Sequence, residues 1–131
     1  MSYTVDVQPD ESIILVTYKD TVDAGQLAAA QQTVVESSQK HELKRVFCIQ
    51  DIRDAKIDFL DGIVHSKQMM FEGRKIETVP VEILVIFVGM NRAAKFFMQL
   101  RQMAPTGKFR TAAVDTMDDA MALVRREAAP Q

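Results

Sequence analysis

Apolar and polar residues alternate at the start of the chain. Tyr3, Val5 and Val7 are separated by polar residues, and this period of two predicts a β-strand with one face in water. A turn containing Pro9 follows. Residues 12–18 are then apolar on both faces and predict an antiparallel partner strand inside the sheet. The first strand is therefore expected at or near an edge.

Four later segments have the spacing of apolar residues that is typical of amphipathic helices. The first helix is expected to begin after Asp23, which forms a capping-box pattern with Gln26, and to run to about Ser38. A capped start of this kind is a local signal for a helix N-terminus. The other three helices are expected at residues 58–74, from Asn91 to about Met103, and after Thr116.

Apolar runs rich in strand-forming residues lie between these helices at 46–49 and 81–88, and a last strand is expected at 109–114. Strands that are apolar on both faces are typical of a sheet covered by helices on both sides. A hairpin followed by right-handed crossovers gives a mixed, mostly parallel five-stranded sheet. We therefore predict an α/β fold with helices on both faces, in the order ββαβαβαβα. The length of 131 residues fits one domain over residues 1–131.

The composition is that of an ordinary globular protein, with 47% hydrophobic and 26% charged residues. A formal net charge of −2 does not indicate nucleic acid as a partner. The longest apolar run, residues 83–90, is far shorter than the roughly 20 residues of a membrane-spanning helix, so no such segment is expected. The single cysteine, Cys48, cannot form an internal disulfide, and we expect a cytoplasmic location.

A cluster of carboxylates follows the central strand at residues 46–49. In open α/β sheets the ligand crevice lies beyond the carboxyl ends of the strands. An acidic loop is expected there, leading into a helix whose first turn contains Asp58 and Asp61, where the helix dipole favours negative charge. We predict a partner-binding site at this end of the sheet, formed by Asp51, Asp54, Asp58, Asp61, Gly62 and His65.

The same carboxylates provide the oxygen ligands that Mg²⁺ prefers, which makes a metal site the alternative. Arg53 and Lys56 supply neutralising charges in the same loop, and the sequence has no glycine-rich phosphate loop. His65 lies one helical turn after Asp61, a spacing that suits a surface ion pair. No Ser or Cys nucleophile is placed to complete a catalytic relay. We therefore predict no catalytic residue, metal or cofactor.

A second candidate surface lies on the second and third predicted helices. Three consecutive apolar residues, from Met69 to Phe71, cannot all face the core of an amphipathic helix. Met98 falls on the polar side of the third helix, and methionine is favoured at adaptable contact surfaces. This surface is a candidate for an apolar or anionic ligand, such as an acidic partner or a lipid headgroup, with a solvated helix face as the alternative. It is formed by Met69, Lys95, Met98 and Arg101.

Two short motifs and the element order resemble a known family over essentially the whole chain. Asp51-Ile52 falls on an Asp-Leu pair that ends the central strand of that family. Residues 59–62, Phe-Leu-Asp-Gly, fall on an Asp-Ser-Ser-Gly run that opens its next helix. The family is that of the STAS domains, typified by the bacterial anti-sigma factor antagonist SpoIIAA. The chain especially resembles the SpoIIAA-like group, which is related to the CRAL-TRIO lipid carriers.

The resemblance implies a regulatory domain without the phosphorylation switch of the antagonists. In those proteins a partner kinase phosphorylates the second serine of the run, whereas this chain has Leu60 and Asp61 in place of the two serines. Phosphorylation adds about −1.5 to −2 of charge to a neutral hydroxyl, and Asp61 has none. A fixed carboxylate at Asp61 is expected either to mimic one state permanently or only to cap the helix.

Three hypotheses about function follow. The first is a non-catalytic regulatory or interaction module that binds another protein or a second copy of itself. The second, implied by the CRAL-TRIO relationship, is a carrier of a lipid or small apolar ligand, with a cavity lined by Phe and Met of the second and third helices. The third is a metal-dependent enzyme that uses the acidic loop. We favour the first and predict that the chain is not an enzyme.

Overall fold

The structure is a computed structural model that describes residues 3–57, 82–89 and 109–128. Five strands and two α-helices lie in these ranges. A short 3₁₀-helix, Pro9–Glu11, joins the first two strands. The strands are β1 (Tyr3–Gln8), β2 (Ile13–Val22), β3 (Arg45–Ile57), β4 (Glu82–Val88) and β5 (Phe109–Val114), and the helices are α1 (Ala24–Lys40) and α2 (Met117–Ala128).

The strands form one mixed sheet in the order β1-β2-β3-β4-β5. β1 and β2 pair antiparallel, as predicted for the hairpin, and β1 lies at an edge of the described sheet. The pairs β2–β3, β3–β4 and β4–β5 are parallel. The predicted α/β class with a five-stranded mixed sheet is confirmed. The full order of nine elements stays a prediction, because two of the predicted helices, at 58–74 and from Asn91, lie outside the described residues.

Side chains alternate along each strand and build two separate apolar clusters, one on each face of the sheet. On one face, Cys48 of β3 is buried in a cluster with Val34 of α1. On the other face, Ile49 is buried in a cluster with Val124 of α2. Fully burying one large aliphatic side chain stabilises a fold by about 1.5–3 kcal/mol. Burial of both faces therefore explains why the central strands are apolar without alternation.

Both described α-helices begin at the caps that the sequence predicts. The Gln26 N–H donates to Asp23 Oδ1 at 2.8 Å, and the Asp23 N–H donates to Gln26 Oε1 at 3.2 Å, which completes the capping box of α1. At α2, the Asp119 N–H donates to Thr116 Oγ1 at 3.1 Å. Each bond satisfies a backbone N–H that has no partner inside its helix.

The central strand runs further than its apolar pattern predicts. The sequence predicts an acidic loop from Asp51, but β3 continues to Ile57. The acidic-loop prediction is therefore wrong for Asp51 and Asp54, which both lie within β3. β2 also continues, to Val22, and the two extensions pair with each other, beginning with Lys19 opposite Asp54. Backbone pairing with a neighbouring strand thus holds this polar segment in an extended conformation.

Removing the cap of α1 is expected to weaken the fold measurably. Asp23→Ala eliminates the side-chain acceptor for the Gln26 N–H, so the free energy of unfolding should fall by about 1 kcal/mol. Urea unfolding followed by circular dichroism measures this change. Asp23→Ser, which keeps a capping oxygen, is the matched control and should retain most of the stability. Equal losses in the two variants would show that the hydrogen bond is not what stabilises this helix start.

Candidate functional site

The carboxyl edge of the sheet contains a bidentate ion pair between Asp51 and Arg53, both on β3. Arg53 donates from Nε to Asp51 Oδ1 at 2.9 Å and from Nη2 to Asp51 Oδ2 at 2.8 Å. The Arg53 backbone N–H also donates to Oδ1, at 3.1 Å. Paired donation of this kind is typical of strong arginine–carboxylate contacts. Both oxygens of Asp51 are thus occupied by one neighbouring residue.

A register shift in the β2–β3 pairing lies at this ion pair. Thr17 is opposite Asp51 and Lys19 is opposite Asp54, so β3 advances three residues while β2 advances two. An extra residue in one strand bends it and re-aims its side chains, as in a β-bulge. The irregularity falls on the residues between Asp51 and Asp54, which include Arg53. The register shift therefore coincides with the contact between Arg53 and Asp51.

Burial of Asp51 makes its partner necessary. Asp51 is only 8% exposed, and a buried carboxylate without a partner is costly. Hydrogen bonds from Arg53 hold the pKa of Asp51 below its usual value, although burial acts in the opposite direction. The same contact raises the pKa of Arg53. Both groups are therefore charged at neutral pH, and Asp51 lacks the near-neutral pKa that suits a general base.

Gly89, directly after β4, packs against the backbone of Arg53. It has a φ of +80°, and a Cβ built on it would lie 2.2 Å from Arg53 Cγ and 3.2 Å from Arg53 Cα. Its N–H donates to the Val114 carbonyl at 3.0 Å. Glycine is therefore required here both for its left-handed backbone and for the close approach. Asp51, Arg53 and Gly89 together form what we call the carboxyl-edge site.

Two of the residues predicted for the partner site are described, and their environments differ. Asp51 belongs to the carboxyl-edge site, whereas Asp54 is exposed on the extension of β3. The other predicted members lie outside the described residues: Asp58, Asp61, Gly62 and His65. The second predicted surface, Met69, Lys95, Met98 and Arg101, also lies outside them. Within 3–57, 82–89 and 109–128, no group of three or more His, Cys, Asp or Glu side chains could hold a metal ion.

Sequence reasoning found Asp51 but not the role of Arg53. Arg53 was interpretable only as a neutralising charge in a loop, because the pattern around it is polar. An arginine two positions after an aspartate in a strand would have been the signal, since residues i and i+2 share a face. Gly89 directly follows β4, which ends at Val88. The local sequence does not indicate the contact of Gly89 with Arg53, because Arg53 lies on a different strand.

The opposite face of the sheet holds buried polar side chains that the sequence did not indicate. The Tyr18 hydroxyl donates to Gln50 Oε1 at 3.4 Å, and Gln50 Nε2 donates to Cys48 Sγ at 3.7 Å. Burial raises the pKa of Tyr18, so its phenol stays protonated. Cys48 is buried, as expected for a core strand. These groups satisfy one another inside the core and do not reach the carboxyl-edge site on the other face.

Comparison with known proteins does not identify a family. No protein-family model matches the sequence, and no curated protein matches it. The resemblance to the STAS domains therefore stays a prediction. Neither of the two described α-helices is long and apolar enough to cross a membrane.

Replacing Gly89 is expected to destabilise the fold. Gly89→Ala should lower the free energy of unfolding by more than about 1 kcal/mol, because a left-handed backbone costs a residue with a Cβ roughly 1–2 kcal/mol and the new Cβ displaces Arg53. Urea unfolding measures the loss. Gly89→Asn separates the backbone cost from the steric cost. Asn tolerates a positive φ but carries a Cβ, so a loss of stability in this variant reports mainly the contact with Arg53. Two variants as stable as the wild type would contradict the close packing.

Removing the charge of Asp51 is expected to have an effect that depends on pH. Asp51→Asn should lower the free energy of unfolding at pH 7, because an amide cannot replace the carboxylate beside Arg53. The folded-state pKa of Asp51 is lowered, so the unfolded chain, where an aspartate titrates near about 3.9, takes up the proton first. The stabilisation by Asp51 is therefore present above about pH 4 and is lost as the pH falls through the folded-state pKa.

Urea unfolding at a series of pH values measures this difference between the wild type and Asp51→Asn. The difference should be constant near neutral pH and should shrink in acid. Asp54→Asn is the matched control, since Asp54 is exposed, and its effect should stay within about 0.5 kcal/mol. A difference for Asp51→Asn that stays constant into the acid range would rule out the ion pair as its cause.

Proposed function

We propose that this chain is a non-catalytic interaction module that contacts another protein through the carboxyl-edge site and the β-ribbon beside it. The observation that carries the proposal is that both oxygens of Asp51 accept hydrogen bonds from Arg53. The carboxylate at the position where β4 stops pairing with β3 therefore binds an arginine. The Arg53 side chain is 47% exposed, and arginine is enriched among the residues that dominate protein interfaces.

The β-ribbon, formed by residues 19–22 of β2 and 52–57 of β3, supplies the rest of the proposed contact surface. β4 pairs with β3 only as far as Asp51, so within the described residues this part of β3 has a strand on one side alone. Charges of both signs at the rim of an interface favour specificity and register more than affinity. The exposed charged side chains of the ribbon are Lys19, Asp20, Arg53, Asp54 and Lys56.

The resemblance to the STAS domains supports a regulatory role for the same edge. Their Asp-Leu pair ends the central strand, and the corresponding Asp51-Ile52 lies where β4 stops pairing with β3. The resemblance implies a protein partner, which we expect this chain to meet in the cytoplasm. Asp61 in place of the phosphorylated serine implies that serine phosphorylation at this position does not switch the contact.

Exchanging two exposed charges of the ribbon tests the proposal. The tagged wild-type chain, purified from the cells that produce it, is expected to recover a partner protein. The double variant Asp54→Lys with Lys56→Glu should recover at least about 10-fold less of it, since a tenfold change needs only about 1.4 kcal/mol and like-charge contacts cost more. Quantitative mass spectrometry of the recovered proteins measures the ratio.

A matched exchange on α1 serves as the control for that experiment. Glu36→Lys with Lys40→Glu changes two exposed charges in the same way, far from the ribbon in sequence. It should leave recovery of the partner unchanged. Equal recovery with all three proteins would remove the ribbon from the contact. A bound lipid or divalent ion in native mass spectrometry of the wild type would instead favour the carrier or the enzyme hypothesis.

A further inference from the structure

An open groove runs along the outer side of β5. Its volume is about 560 Å³, and it is lined by every residue of β5 from Arg110 to Val114, with Leu84 of β4 and one side of α2. Consecutive strand residues point to opposite faces, so a groove lined by all of them follows the edge of the strand. β5 is also the last strand of the described sheet. Among the described residues, no further strand pairs with this edge of β5.

One hydrogen bond shows which backbone groups of β5 point into this groove. The Gly89 N–H donates to the Val114 carbonyl at 3.0 Å, so Val114 directs its polar groups toward β4. Successive residues of a strand direct them alternately to its two sides. Ala112 therefore also bonds toward β4, whereas Thr111 and Ala113 direct their N–H and C=O groups outward. A row of this kind is a template for pairing with another strand.

The wall of the groove formed by α2 has a charge pattern that is complementary to itself. Asp119 lies in the first turn of α2, Arg126 lies in the last turn, and Leu123 lies near the middle. Neither Asp119 nor Arg126 forms an ion pair within the described part of the chain, whereas Glu127 is paired with Arg110 at 3.6 Å. A two-fold axis near Leu123 would bring the acidic end of one copy to the basic end of another.

We propose that β5 pairs antiparallel with β5 of a second copy of this chain, across a two-fold axis at Ala112. The two five-stranded sheets then form one continuous sheet. Thr111 of each copy exchanges hydrogen bonds with Ala113 of the other, using the groups that point outward. The two Ala112 residues face each other at a position without hydrogen bonds, where the Cα atoms approach to about 4.5 Å and a small side chain is favourable. This surface is separate from the carboxyl-edge site.

The charges of α2 favour a second copy over an unrelated strand as the occupant. α2 packs against β3, β4 and β5 and is centred on β4. In the dimer the two α2 helices therefore run antiparallel, three strand spacings or about 14 Å apart. This gap is wider than the 8–10 Å of directly packed helices, and the long Arg126 side chain spans part of it toward Asp119 of the second copy. Leu123 of each copy lies between these two charged ends. The acidic end of each helix therefore faces the basic end of the other.

Charge reversal in α2 tests this arrangement in solution. Light scattering after size-exclusion chromatography should give the mass of two 14.8 kDa chains for the wild type. Asp119→Arg and Arg126→Glu should each weaken dimerisation at least about 10-fold, because each places like charges together across the axis. An equimolar mixture of the two variants should dimerise again, since one of its contacts is restored with the charges exchanged. A monomeric wild type, or a mixture no better than the single variants, would overturn the proposal.

Cysteine cross-linking identifies which edge of the sheet is used. Ala112→Cys should form a disulfide-linked dimer under mild oxidation, since facing positions without hydrogen bonds bring the Cα atoms within the 4.4–6.8 Å that a disulfide spans. Thr4→Cys, on the opposite edge strand β1, should stay monomeric on a non-reducing gel, and the native Cys48 is buried. Cross-linking through Thr4→Cys but not Ala112→Cys would overturn the proposal even if the protein is a dimer.

Discussion

The pairing of β3 with strands on both sides is the constraint on which the rest of the structure depends. Because side chains alternate along a strand, the neighbouring residues Gln50 and Asp51 are directed to opposite faces, and both are buried, at 1% and 8% exposed. Neither can be moved to solvent without breaking the register with β2 and β4. Each therefore has a dedicated partner, Tyr18 on one face and Arg53 on the other. The backbone pairing determines which polar side chains are buried, and the hydrogen bonds from Tyr18 and Arg53 then satisfy those side chains.

The ion pair at the carboxyl edge is better understood as a means of specifying geometry than as a source of stability. Asp51 is buried whereas the Arg53 side chain is 47% exposed, so the carboxylate loses most of its hydration and the attraction to Arg53 mainly offsets that loss. Breaking the pair is nevertheless costly, because Asp51 stays buried without its donor. Gly89 adds a steric requirement, since its position against Arg53 leaves no room for a side chain. The hydrogen bonds to Asp51 and the close packing against Gly89 together hold the Arg53 side chain in one orientation.

Local signals predicted the parts of the fold that are decided locally. The capping oxygens of Asp23 and Thr116 act within a few residues, and the two helices that they mark begin where the sequence places them, as does the predicted last strand, β5. The extension of β3 beyond Asp51 depends on backbone pairing with β2, a segment far earlier in the chain. Its polar residues therefore look like a loop, and the role of Arg53 could not be predicted. Gln31 is a further case: its amide is buried without a hydrogen-bond partner, and the described residues offer no compensating contact.

The two proposed surfaces constrain each other through the direction of the strands. If β5 pairs antiparallel with a second β5, each strand of one copy runs opposite to the same strand of the other, and the two carboxyl-edge sites lie at opposite ends of the joined sheet. A single compact partner cannot contact both sites at once, so dimerisation adds no avidity for such a partner. The dimer instead presents two carboxyl-edge sites that face in opposite directions. A partner that is itself two-fold symmetric would then join successive dimers into an open chain, because two kinds of unit with two sites each alternate without end when their contacts do not close.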